Sequence, residues 1–543
     1  MNLREYLTVI SLSLALLSCG KDDIKEVTPG AALHSVEVSV TEDIVIPIFG
    51  SAVISFKVID AAFPFSLTDD VGLFLPSGLP ATDFSLTGLR QDGPMGSYAA
   101  EIKDNGISKE YSAQVRLGVR LSKGKDDYVF SSPFTVKSDE AGTHGGGLRT
   151  GLPVLYLDTE GNKQIVSKTE YLPATLAVWE EETGLGESMP CSVRGRGNTT
   201  WTWPKKPYLV KLEKKEPILG MNKHKRWVLL ANFMDRTLMR NLVAMKVSSL
   251  TSLDWTPSCK PVELVLNGRH MGNYLLIEQV RVDKNRLPVS EMTPDDNTGE
   301  AVTGGYLMEC DFHFDNEVQW LDPHGRCNRF QDGIPFAVKY PDPDDITSSQ
   351  LSYIKQYIND AAEAIYGPDF KDPEKGYAAY IDVDSYIDYW LVYEVMGNLA
   401  LSNPGSVFCH KDRGGKLKAG PCWDFDWGVL SFYTAPKAKT GLLHRQAMWY
   451  ARLFEDPAFL ARTKARFQEL LPVLETIPDY METLRKTLSA SAALNFKIWD
   501  PTQDSSQNSG KIINGDEDMT FDAAVDRLKS NYQERLQVIS KSL

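Results

Sequence analysis

The chain has 543 residues, a formal net charge of −14 at pH 7 and 42% hydrophobic residues. A chain of this length can bury a large core and is long enough for two or three domains. Its negative charge argues against nucleic acids and anionic membrane surfaces as main partners, because both attract a basic protein face.

The N-terminus has the pattern of a bacterial lipoprotein signal. Arg4 precedes an apolar run over residues 7–17, which is too short to span a bilayer. The run leads to Cys19 in a lipobox-like setting, and the lysine and acids at residues 21–23 resemble the surface-export tag of Bacteroidota lipoproteins. Residues 1–19 are therefore predicted to be a signal peptide, and the mature protein a surface-exposed outer-membrane lipoprotein acylated at Cys19. The alternative is a cleaved secretory signal with an incidental cysteine.

Two domains are predicted after the signal. Residues 20–34 are predicted to be a tether, and residues 35–137 an immunoglobulin-like β-sandwich, because short runs alternate with period two and no helical stretch interrupts them. A spacer is the expected role of this domain, and glycan or protein binding is the alternative. Residues 138–151 contain Gly145, Gly146 and Gly147 among polar residues, which is typical of a linker.

Residues 152–543 are predicted to form an α+β domain with two lobes. Strand patterns dominate its first part, including a hairpin over residues 262–278. Helical patterns dominate its second part. The predicted helices cover residues 237–249, with Asp235 as cap, and residues 349–366, 381–396, 445–494 and 520–543. A second hairpin is predicted over residues 408–425.

The most informative segment is residues 194–211. Arg194 and Arg196 stand beside glycines, whose lack of a Cβ lets main-chain N–H groups approach an anion closely. Lys211 lies on a predicted strand, which would hold its ammonium group in a fixed direction. The segment therefore predicts an anion cradle with one fixed lysine; a tight turn whose arginines pair with surface acids is the alternative.

Far downstream, Asp424 and Asp426 are separated by a single residue inside an aromatic run. Aromatic surroundings indicate a desolvated site, in which two like charges are costly without a bound cation. Carboxylates suit Mg²⁺ or Mn²⁺, which can bridge phosphate oxygens. An anion cradle, a fixed lysine and two such acids are together the parts of a phosphoryl-transfer site. Capping of a turn is the alternative for either acid.

Five motifs in the same order resemble the CotH kinase family, relatives of spore-coat protein H that are atypical protein kinases with a diverged kinase-like fold. The resemblance runs from about Leu152 to the C-terminal helices. The motifs cover residues 194–211, 227–235 with 240–241, 266–278, 305–309 and 423–426. The resemblance implies a two-lobed kinase-like domain that binds ATP with Mg²⁺ or Mn²⁺ and transfers phosphate to a protein or glycan acceptor at the cell surface.

The resemblance also implies roles for single residues. Arg194, Arg196 and Asn198 would line the phosphate side of the nucleotide, and Lys211 would contact its phosphates. Asp424 and Asp426 would bind the metal ion.

Other charged residues receive weaker assignments. Glu278 ends the strand that leads to the hinge against the adenine in a kinase-like fold, or else forms a structural ion pair. Lys205 and Lys206 are expected to be solvated. Lys339 matches a family position without a role that its sequence context explains.

One position departs from the family pattern. The family carries an acid two residues after an asparagine, where it can accept the proton of an attacking hydroxyl. Here that place after Asn398 holds Ala400, and no Asp or Glu lies between Glu394 and Asp412. A methyl group cannot deprotonate a nucleophile. Two functions therefore stay open: an active atypical kinase, or a catalytically impaired pseudokinase that serves as a surface binding or assembly module.

Two cysteines occur with histidines at metal-ligand spacing. Cys310 with His313, and His324 with Cys327, could supply four zinc ligands if the two halves face each other. The alternative is that these cysteines are buried thiols or form a disulfide.

Overall fold

The structure is a computed structural model that describes residues 25–26, 35–39, 43–46, 51–59, 70–94, 96–104, 111–121, 126–138, 150–313, 318–328, 333–433, 435–499, 514–516 and 518–543. The chain divides into two compact units. One holds the residues up to Leu148 together with Gly268–His270, and the other holds Arg149–Asn267 and Met271–Leu543. The predicted signal peptide, Cys19 and most of the predicted tether lie outside the described residues.

The first unit is made of β-strands. They are β1 Lys25–Glu26, β2 Ser35–Val38, β3 Ile44–Ile46, β4 Ser51–Ile59, β5 Val71–Phe74, β6 Phe84–Gln91, β7 Ser97–Asp104, β8 Ser112–Arg120, β9 Asp127–Phe130 and β10 Phe134–Ser138. One sheet has the order β1-β9-β8-β10-β3, with β5 beside β8, and the other has the order β2-β4-β7-β6. Strand β1 falls inside the predicted tether and pairs in parallel with β9.

The two sheets of this unit share one apolar core. Alternation places every second residue of a strand on the same face, and in β4 the side chains of Ile54 and Phe56 are buried between exposed neighbours. Val36 and Ile102 of the same sheet meet Leu117 of the other sheet in that core. The period-two pattern thus corresponds to two packed sheets, while the immunoglobulin-like topology stays a prediction.

The second unit begins with a closed β-barrel. Its strands are β11 Val154–Thr159, β12 Leu172–Glu180, β13 Gly184–Leu185, β14 Met189–Gly195, β15 Tyr208–Glu216, β16 His224–Leu230, β17 Cys259–Leu266 and β18 Arg269–Glu278. The hydrogen-bonded order is β11-β17-β18-β16-β15-β14-β12, and β12 pairs again with β11, which closes the ring. Strand β13 is attached to β12.

The two faces of the barrel wall bury different cores. Val210 and Trp227 belong to the cluster inside the barrel. Leu209 and Val228, each adjacent in sequence to one of these, point outward into the core of the helical part. The barrel and the helices are therefore packed into one body through the outer face of β15 and β16.

The remaining strands form a sheet of order β20-β21-β19-β22-β23. They are β19 Tyr306–Cys310, β20 Gln319–Asp322, β21 Ile334–Tyr340, β22 Val407–Lys411 and β23 Leu417–Ala419. The helices are α1 Arg240–Ser248, α2 Ser348–Tyr366, α3 Tyr377–Tyr380, α4 Val383–Met396, α5 Tyr450–Leu453, α6 Pro457–Leu474, α7 Ile477–Ile498 and α8 Phe521–Ser542. The predicted mixed α+β class, strand-rich first and helical later, is confirmed.

Two local predictions are wrong. Strand β23 ends at Ala419, so the second hairpin is shorter than expected and Asp424 lies on a loop. The backbone of Asp424 has φ 67°, which an extended strand does not permit. Helix α1 begins at Arg240, and its N-cap is Met239 rather than Asp235.

Among the described residues, no helix combines the length and the apolar composition needed to cross a membrane.

Candidate active site

The loop after β23 carries the two predicted metal ligands. Asp426 is 6% exposed, whereas Asp424, taken as a whole residue, keeps a larger accessible surface. The two carboxyl groups contact each other through a hydrogen bond. Burial and the adjacent Asp424 raise the pKa of the Asp426 carboxyl well above its ordinary value. The loop thus concentrates negative charge that a cation would stabilise.

Three asparagine side chains hold the main chain of this loop. Asn398 donates to the main-chain oxygen of Asp424 over 3.1 Å. The N–H of Phe425 donates to the side-chain oxygen of Asn241 over 2.8 Å. The N–H of Gly428 donates to Asn514 over 3.1 Å. Buried N–H and C=O groups need such partners, and here the partners come from three distant parts of the chain.

A buried ion-pair network supports the same loop. Arg240 is 1% exposed, pairs with Asp235, and donates to Asp516 over 2.8 Å. Its Nε donates to the main-chain oxygen of Val429 over 2.9 Å. Asp235 also accepts the main-chain N–H of Arg240 over 2.9 Å. Asp235 is therefore part of the buried ion-pair network that supports the acidic loop, and it is not the helix N-cap that the sequence predicted.

Arg196, one of the cations predicted for the anion cradle, interacts electrostatically with both acids of this loop. Its guanidinium lies over the Trp423 ring at 5.5 Å. Burial lowers the pKa of Arg196, while Asp424 and Asp426 act in the opposite direction. Gly197, at φ 86°, holds the backbone in a region that favours glycine. Arg196 thus brings the predicted anion cradle next to the two predicted metal ligands, Asp424 and Asp426.

A cleft of about 330 Å³ opens beside these residues. Its lining combines apolar walls with charged and amide groups. The lining residues are Arg196, Gln279, Val280, Arg281, Val282, Leu307, Glu309, Lys339, Tyr340, Asp342, Pro343, Ser406, Phe408 and Trp423.

Several of the lining residues had no role assigned by sequence. Lys339 lies 3.3 Å from Glu309 in an ion pair at the cleft wall. Arg281 brings a second guanidinium into the lining. Period-two alternation in β19 and β21 could have placed Glu309 and Lys339 on a common face, but only the antiparallel register of these strands brings the two together.

Arg194 and Lys211 converge on a different point, the ring of Tyr171. The Arg194 guanidinium lies 5.2 Å from the ring centre and the Lys211 ammonium 6.0 Å from it. Arg226 donates to the Tyr171 hydroxyl over 3.0 Å. Burial, and then the charge of Arg226, lower the pKa of Arg281, to which Arg194 also contributes. The basic residues around Tyr171 therefore interact electrostatically with Arg281, which lines the cleft.

The remaining predicted nucleotide ligand, Asn198, is exposed and precedes a short 3₁₀ turn without capping it. It follows Arg196 by two residues in the loop between β14 and β15, so it stays on the same loop as the cradle.

The expectation that Lys205 is solvated is wrong. Its side chain is fully buried, donates to the main-chain oxygen of Asn273, and donates to the Asn495 side chain over 2.8 Å. The ammonium lies 4.5 Å from the Tyr274 ring centre. Burial lowers the pKa of Lys205 to about 7. Lys206 is only partly covered and donates to Trp201 over 2.8 Å.

Glu278 adopts the structural alternative that its sequence position left open. It is fully buried, forms an ion pair with Arg286, and accepts the N–H of Ser258 over 2.9 Å. The next residue, Gln279, lines the cleft instead. Glu278 thus fixes the end of β18, and the cleft lining begins at the next residue, Gln279.

The zinc alternative is wrong. All six cysteines from Cys191 to Cys422 are free thiols, so the disulfide alternative is wrong as well. His313 is hydrogen-bonded to Asp311 and His324 to Asp322, each over 2.9 Å. Across the described ranges, no group of three or more His, Cys, Asp or Glu side chains is arranged to hold a metal ion.

The chain matches a family model described as CotH kinase protein over residues 193–539. No curated protein matches the chain. Among solved structures, domains 5–6 of the S-layer protein SbsC match 37% of this chain and 91% of that chain at 9% identity. The TM-score of that match is 0.14, which is too low to indicate a shared fold. The family model covers well over half of the chain and includes Arg196, Asp424 and Asp426. The chain belongs to the CotH kinase family.

Proposed function

We propose that the protein is an atypical kinase that binds ATP and a divalent metal ion in the cleft beside Arg196 and transfers phosphate to a protein or other cell-surface acceptor. Membership of the CotH kinase family implies the use of ATP. The observation that carries the proposal is the position of Arg196 against both Asp424 and Asp426. A guanidinium beside two acids is what a metal-bound polyphosphate requires, because it neutralises oxygens that the metal leaves uncovered.

The donor set of the acidic loop fits Mg²⁺ or Mn²⁺. These ions favour oxygen ligands and commonly take one or two carboxylates together with phosphate oxygens and water. Asp424 and Asp426 supply two carboxyl groups in contact, and burial of Asp426 makes their joint ionisation costly without a cation. The bound ion would draw charge from the transferred phosphate.

The cleft offers different surfaces to the parts of a nucleotide. Val280 and Leu307 provide apolar walls suited to a base. Arg196 faces the acidic loop, and the cluster of Arg194 and Lys211 at Tyr171 extends positive charge beyond it. We assign these three cations and the exposed Asn198 of the same loop to the phosphate chain.

The cellular setting is part of the same proposal. The lipobox-like Cys19 supports an outer-membrane lipoprotein with its kinase domain exposed at the surface. The acceptor would be a surface protein or glycan, and the net charge of −14 argues against nucleic acid.

A second function is favoured by one observation. Ala400 occupies the place of the family's acid, and the side chain of Asn398 is engaged with main-chain groups. A pseudokinase that holds nucleotide or a surface partner without transfer would keep Arg196 and the acidic loop and lose only the base.

The test separates binding from transfer. ATP with Mg²⁺ or Mn²⁺ should raise the melting temperature of the full chain, because a ligand that binds only the folded state stabilises it. Asp426→Asn should abolish most of that rise, whereas Asp369→Asn removes a charge from an exposed residue and should preserve it. Labelled ATP with cell-surface fractions then distinguishes the two functions. A wild-type protein with no nucleotide-dependent rise refutes ATP binding.

A further inference from the structure

We propose that His313, oriented by Asp311, is the general base that accepts the proton of the acceptor hydroxyl in place of the missing acid at Ala400. This inference rests on the proposed kinase function. Glu309, on the strand β19 that precedes this segment, is already engaged, since it pairs with Lys339 over 3.3 Å.

Asp311 joins the loop that lacks the acid to the cleft. It follows β19 directly, and its carboxylate accepts the N–H of Ser406 over 2.9 Å. Ser406 lines the cleft. The N–H of Phe312 donates to the main-chain oxygen of Pro404 over 2.7 Å. The segment 311–313 is therefore bonded to residues of the loop that begins at Asn398, where the family carries its acid.

Asp311 is also electrostatically close to the acidic loop. The pKa of Asp424 is raised first by desolvation of its carboxyl group among the surrounding protein groups, and the charge of Asp311 contributes to the same rise. Asp424 is one of the two proposed metal ligands, so the charge of Asp311 acts on the proposed metal site. The dyad is thus linked to the cleft through Ser406 and to the acidic loop through the charge of Asp311.

The tautomer of His313 follows from its partner. Its Nδ1 lies 2.9 Å from Asp311 Oδ1, and its main-chain N–H donates to the same oxygen over 2.7 Å. An ionised carboxylate only accepts hydrogen bonds, so Nδ1 carries the proton and Nε2 keeps a lone pair. The His313 side chain is 37% exposed, which leaves it accessible to an acceptor. This is the arrangement by which an aspartate prepares a histidine to accept a proton.

The transfer step balances without further reagents. The acceptor oxygen attacks the γ-phosphorus of ATP as its proton passes to Nε2 of His313. The bond between the γ-phosphorus and the bridging oxygen breaks, and ADP leaves with that electron pair. Asp311 stabilises the imidazolium that results.

The chain contains a matched control for this dyad. His324 Nδ1 also lies 2.9 Å from the aspartate two residues before it, Asp322, and its side chain is 32% exposed. Asp322 however accepts the indole N–H of Trp449 over 2.7 Å, and Trp449, unlike the Ser406 that is bonded to Asp311, does not line the cleft. The two histidines therefore share their local geometry and differ in their position.

The experiment compares the full chain with His313→Ala and His324→Ala. Phosphate transfer from γ-labelled ATP to casein, with Mn²⁺, is measured beside the nucleotide-dependent rise in melting temperature. We expect His313→Ala to lower kcat about 100-fold, to keep the rise in melting temperature, and to recover activity when imidazole is added. His324→Ala should transfer at the wild-type rate.

The outcomes separate this inference from the proposed function. A wild-type protein without any nucleotide-dependent rise defeats the kinase function and this inference with it. If the wild-type protein binds ATP but transfers no phosphate, the role of His313 as general base is refuted while ATP binding stands. The same holds if the His313→Ala protein transfers phosphate at the normal rate. A loss that imidazole does not restore assigns His313 a structural role and also overturns the proposal.

Discussion

Asn398 donates its side-chain amide to the main-chain oxygen of Asp424 over 3.1 Å. Its side-chain oxygen accepts the N–H of Ala400 over 2.9 Å. One amide that is 4% exposed therefore ties the loop that lacks the family's acid to the loop that carries the two predicted metal ligands. This amide therefore fixes the two loops relative to each other.

Replacing Asn398 should loosen that connection. Asn398→Ala leaves a partly buried N–H and a partly buried C=O without their partner, and we expect a loss of about 1–3 kcal/mol in the free energy of unfolding. The nucleotide-dependent rise in melting temperature should shrink as well, because Asp424 is no longer held. Asn403→Ala on the same loop is the control. Equal melting temperatures for the two variants would contradict the role of Asn398.

Replacing Arg196 should weaken nucleotide binding more than it weakens folding stability. Arg196→Ala removes a charge-assisted contact, and a loss of about 1.5–3 kcal/mol corresponds to roughly a tenfold or greater rise in the Kd for ATP. Titration calorimetry with ATP and Mg²⁺ measures it. Lys214→Ala removes an exposed positive charge from β15 and should bind ATP as the wild type does. Similar Kd values for wild type and Arg196→Ala would remove this residue from the site.

The buried Lys205 should make stability depend on pH. Burial lowers its pKa to about 7, whereas a lysine in an unfolded chain titrates near 10.4. Between these values the unfolded chain binds more protons, so the stability of the wild type should rise with pH from about 7 to about 10 relative to Lys205→Met. Melting curves across that range test this. Lys214→Met should follow the wild type, and parallel curves for wild type and Lys205→Met would show that Lys205 does not titrate in this window.

An acid at position 400 should restore what the family position supplies. Ala400→Asp is expected to raise phosphate transfer to casein about tenfold or more, because a positioned general base contributes a factor of roughly 100 to 10,000. Ala400→Asn has a similar shape without a base and should leave the rate unchanged. In the His313→Ala background, the new aspartate should recover part of the lost activity. A rate that responds equally to both substitutions at this position would point to shape instead of proton transfer.

The proposed lipid anchor would depend on a single atom, the thiol sulfur of Cys19. Cys19→Ser should leave the protein unprocessed or release it from the membrane fraction, because the hydroxyl cannot take the thioether-linked lipid. Fractionation of cells followed by detection of the chain measures this. A variant that is processed and stays with the membranes as before would show that Cys19 is incidental.

Local patterns were sufficient for much of this architecture. Helix α2 occupies Ser348–Tyr366, within one residue of the span predicted from periodicity, because a cap at Thr347 and an amphipathic stripe are both local. The hairpin of β23 was extended too far because Gly420 and Asp424 adopt positive φ values of 111° and 67°. These φ values depend on the packing around the acidic loop, which the local sequence does not show. The apolar residues that flank Asp424 in sequence have the pattern of a strand.

Sequence alone was sufficient for the α+β class, for the membership implied by five ordered motifs, and for the pairing of Asp424 with Asp426, which are two residues apart. It could not distinguish Lys205 from Lys206, because Lys205 is buried by Asn495, 290 residues away. It also could not separate Arg196, at the acids, from Arg194 and Lys211, at Tyr171, or bring Asp311 to Ser406. Residue type and spacing determine which chemistry is available. Which charges share a desolvated volume is decided by the packing of distant segments, since burial and Coulomb energy depend on distance in space.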